Sequence, residues 1–95
     1  MEIFHRTLQL RRGALVDDIQ LEIGPITKLK SGDISCRVNL PDIVGEDKVA
    51  YGIDEIQAFM NACRLVRKSI LGVNEGWKDS KVYWIEEDDL GGLEI

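Results

Sequence analysis

The sequence predicts an α+β fold: an antiparallel sheet of about four to five strands with one long helix packed on one face, in the order β-β-β-β-α-β. Three observations point to it. Apolar residues alternate with polar ones at period two in several runs before residue 54, and a further strand-like run, Lys81-Val82-Tyr83-Trp84-Ile85, follows residue 80. A single long stretch between those regions switches to helical spacing. Between them, Tyr51-Gly52-Ile53-Asp54 leads into Glu55-Ile56-Gln57-Ala58, a sharp strand-to-helix junction. Asp54 is a good N-cap there, and Gln57 three residues on completes a capping box by reaching back to the cap's backbone N–H.

Phe4, Leu8 and Leu10 alternate with Ile3, His5, Thr7 and Gln9, giving a first strand to about Arg11, and Arg12-Gly13 begins a turn. Ile19, Leu21 and Ile23 alternate with Gln20 and Glu22 as a second strand, closed or deflected by Gly24-Pro25. Ser31-Gly32-Asp33 turns the chain again. Ile34, Cys36, Val38 and Leu40 then alternate with Ser35, Arg37 and Asn39, the clearest strand pattern present. Pro41 ends it, and Gly45-Glu46-Asp47 forms a loop before a short strand at Val49, Tyr51 and Ile53. Because the alternation is clean, the face of the sheet away from the helix should be mostly polar.

The helix is expected from Glu55 to about Leu71, with Gly72 as its C′ residue and Arg67-Lys68 at the negative end of its dipole. Ile56, Phe59, Met60, Cys63, Val66 and Ile70 form its apolar stripe, and Gln57, Asn61, Arg64 and Lys68 its solvated side. A shoulder of Ala58, Ala62 and Leu65 widens the apolar arc, so a loop or a partner should cover it. It is a candidate self-association surface. Lys81-Val82-Tyr83-Trp84-Ile85 reads as a last strand, and residues 87–95 as an irregular tail within one domain, 1–95.

Net charge is −5, with hydrophobic residues at 44% and charged residues at 31%, an ordinary balance for a globular protein. Residues 1–74 hold ten acids and ten bases, so all the net charge resides in the last fifth of the chain. Such a chain is poorly suited to phosphate backbones and better matched to a cationic partner. No apolar run is long enough to span a membrane, and no secretory signal is recognisable. Cys36 and Cys63 each fall within an apolar periodicity, as buried thiols of a cytoplasmic protein do.

Together, Ile23-Gly24-Pro25, Gly32-Asp33 with Cys36-Arg37, Tyr51-Gly52-Ile53-Asp54 leading to Gln57-Ala58, Trp84, and a Leu90-Gly91 ending resemble a family. It is a group of small, mostly bacterial proteins catalogued as a domain of unknown function. The resemblance covers roughly residues 19–93. It implies the fold and brings no catalytic residues, substrate or cofactor.

Chemistry-bearing groupings are sparse. His5 lacks an acid–base partner in sequence, and neither cysteine has a CxxC mate. No phosphate-binding glycine loop is visible. Capping accounts for the spacing of Asp54 and Gln57. Arg64 and Lys68 give the one candidate anion site. The run Glu86-Glu87-Asp88-Asp89 is either a solvated tail or an acidic docking patch beside Trp84. The expectation is therefore a non-enzymatic, cofactor-free and metal-free interaction module that binds a basic protein, in its narrowest form an immunity or antitoxin-type inhibitor. The alternatives are a structural or homodimeric accessory protein using the helix shoulder, and a small-ligand binder.

Overall fold

Period-two alternation becomes a sheet here because each strand has one face to bury, and a single helix supplies the cover. A computed structural model describes residues 2–84. Its elements are β1 (Phe4–Arg12), β2 (Leu15–Lys28), β3 (Ile34–Asn39), β4 (Lys48–Gly52), α1 (Glu55–Gly76) and β5 (Ser80–Tyr83). All neighbouring strands are antiparallel, in the spatial order β4-β3-β2-β1-β5. The fold is α+β, with the element order that the sequence predicts.

Leu8, Leu10, Ile19, Leu21, Ile23, Ile34, Cys36, Val38, Ala50 and Val82 project from the sheet into one core beneath the helix. The opposite face carries His5, Thr7 and Gln9 of β1, Gln20 and Glu22 of β2, and Ser35, Arg37 and Asn39 of β3. It is mostly polar, as the alternation implies, with Val49 and Tyr51 of β4 exposed beside Arg37 and Ser35.

Gly24-Pro25 deflects β2 and does not close it. The register slips between Ile23 and Ile26, so β2 carries one extra residue against β3. Gly24 adopts φ +116°, and a Cβ there would lie 2.6 Å from the Glu2 carbonyl oxygen. Only glycine suits both demands. Across the strand pair, Arg37 Nε donates to the Gly24 carbonyl at 2.8 Å, while its two terminal nitrogens reach Glu22 at 2.9 Å and Asp47 at 3.1 Å. One guanidinium thus ties the bulge to the loop before β4.

The helix runs past Gly72, which lies within it, and its C-cap is Trp77. It must carry the chain from β4 at one edge of the sheet to β5 at the other. Val73 is buried, and the Asn74 side chain accepts from the Val82 N–H at 2.7 Å. Those contacts outweigh the ~1 kcal/mol that glycine costs inside a helix. Arg67 and Lys68 consequently stand away from the last turn, which holds no base. At the other edge, Asn61 Nδ2 donates to the Tyr51 carbonyl of β4 at 2.7 Å.

The buried helix face is also different from the expected stripe. It consists of Ala58, Ala62, Val66, Ile70 and Val73. Ala58 and Ala62 are fully buried against the sheet, so they offer no surface to a second molecule. Leu65 is half-buried and packed against the same core. The self-association shoulder is the inner face of the helix, where small side chains let helix and sheet approach closely.

Candidate interaction surface

Displacing the alanines inward rotates larger residues outward. Ile56 is 72% exposed, Met60 44%, and Ile53, just before the cap, 82%. Ile56 and Met60 are i,i+4 neighbours on the helix surface. Ile53 and Ile56 line one open hollow with Lys28, Gly32 and Ile34. Met60 in turn lines a groove of about 210 Å³ with Phe59, Cys63 and Arg64. Phe59 meets Phe4 edge to face, with ring centroids 5.4 Å apart, and Phe4 is itself 47% exposed. Ile53, Ile56, Met60, Phe59 and Phe4 therefore make a continuous apolar ridge along the first turns of the helix.

The helix start beside this ridge is rigidly defined. Asp54 Oδ1 accepts from the Gln57 backbone N–H at 2.7 Å. Gln57 Oε1 accepts from the Ile53 N–H at 2.7 Å, one residue earlier than a standard capping box would place it. Gly52 lies so close to the first turn that a Cβ would sit 2.4 Å from the Ala58 nitrogen. Ile53 is thereby held at the corner with its side chain outward.

The remaining sequence candidates separate. Trp84 is half-buried against the core, with the Arg6 guanidinium 4.6 Å from its ring centroid. Glu86, Glu87, Asp88 and Asp89 lie outside the described residues, as does the irregular tail. Gln57 and Asn61 are engaged by backbone. Arg64 Nη1 donates to Asn61 Oδ1 at 3.0 Å, and Lys68 is exposed, so Arg64 and Lys68 form no enclosed anion site with the rest of that side.

His5 Nδ1, exposed on the polar face, stands 3.5 Å from the half-buried Glu22. Burial pushes the Cys36 and Cys63 thiols up, which keeps both protonated and weakly nucleophilic at neutral pH. Asn39 and then Arg37 hold the Asp47 carboxyl below its ordinary range. Among the described residues no group of three or more His, Cys, Asp or Glu could hold a metal ion, and no helix is long and apolar enough to cross a membrane.

A family model described as a domain of unknown function, DUF6968, matches residues 4–94. The chain belongs to this family. No curated protein and no solved structure matches it. The residues on which the sequence resemblance rests have structural work in this fold. Gly24 makes the bulge, Arg37 holds it, Gly52 admits the helix, and Asp54 with Gln57 starts that helix.

The ridge itself escaped sequence reasoning, which assigned Ile56 and Met60 to the core. The available signal was the unbroken i,i+4 series Ala58-Ala62-Val66-Ile70. It places Ile56 and Met60 off the inner face.

Proposed function

We propose that this DUF6968 protein is a small interaction module of the cytoplasm that acts by binding another protein and not by catalysis. The observation that supports this reading is the exposed apolar ridge Ile53-Ile56-Met60 with Phe59 and Phe4. Contiguous exposed apolar patches on small proteins mark interaction sites, and aromatic and methionine side chains are common at their cores.

The acidic run Glu86-Glu87-Asp88-Asp89 gives the second part of the reading. With net charge −5, the protein attracts a basic partner and repels nucleic acid. Its narrowest form is an immunity or antitoxin-type inhibitor whose carboxylates occupy a cationic surface, with Trp84 at the margin of that contact. Two unpaired thiols fit a reducing compartment.

Affinity capture with three baits tests this: the wild type, Ile56→Lys with Met60→Lys, and a chain in which residues 86–89 are changed to Gln or Asn. The ridge variant should lose the bound protein. The neutral-tail variant should associate more slowly, with less dependence on salt, when rates are measured on the purified partner. Equal capture by all three baits would refute the reading.

A further inference from the structure

We draw no further inference here: the strongest candidate, the exposed apolar ridge of Ile53, Ile56 and Met60 along the first turns of α1, belongs to the interaction surface already described, and nothing in the structure shows what covers it.

Discussion

Gly52→Ala is the substitution whose outcome the structure constrains most tightly. In a strand of ordinary conformation, replacing glycine by alanine stabilises by ~0.5–1 kcal/mol, because the unfolded chain loses freedom. Here the added Cβ would lie 2.4 Å from the Ala58 nitrogen, 2.8 Å from the Gln57 carbonyl carbon and 2.9 Å from the Ala58 Cα. All three are backbone atoms of the first helical turn, so no rotamer change can relieve the overlap. Ordinary contact begins at 3.4 Å, so helix and strand must separate by about 1 Å. That separation pulls Ala58 and Ala62 off the sheet and strains the Asp54 cap. A cost of ~3 kcal/mol follows from the upper end of overpacking penalties. With a urea m-value of about 1.5 kcal/mol per molar, the midpoint should fall by about 2 M. Urea unfolding followed by circular dichroism measures it. A midpoint equal to or above that of the wild type would refute the account of the junction.

Asp54→Ala removes the acceptor for the Gln57 N–H and should lower stability by ~1 kcal/mol, readable in the same urea series, with partner capture unchanged. Asp47 gives a pH dependence. Its carboxyl is held below the ordinary 3.8 by Asn39 and Arg37, so its contribution is present above that value and disappears as pH falls through the lowered one. Asp47→Asn should therefore show a shallower loss of Tm than the wild type on acidification below about pH 4. Parallel acid limbs in the two proteins would show that Asp47 is not held in this way.

The strands were legible because each buries one face, and a period-two pattern has only two ways to orient. Ile34-Cys36-Val38 settles β3 without outside help. The Asp54 cap was legible for a similar reason, since residue type and spacing are set within a single turn. The helix faces were harder. Pattern reading gives weight to large side chains and favoured Ile56 and Met60, whereas close helix–sheet approach selects small ones, and Ala58 and Ala62 took the inner positions. Gly72 misled about the helix end because the need to reach β5 is a tertiary demand that no local signal expresses. The bulge at Gly24 was visible as a break, but its fastening by Arg37 depends on a cross-strand partner thirteen residues away. For the same reason the ridge appears only once the alanines are known to face inward.

The two helix asparagines act together as a caliper. Asn61 holds the outer backbone of β4, and Asn74 that of β5, the two outermost strands among the described residues. Their thirteen-residue separation spans about 20 Å along a helix. Four interstrand gaps span about 19 Å. The helix is thus cut to the width of a five-stranded sheet. An incoming strand at either side would have to compete with an amide already bonded there, so the sheet resists growth by strand addition. Deleting one residue between the two asparagines would swing Asn74 about 100° around the helix, away from β5. The length of that segment is therefore as tightly constrained as any side chain within it.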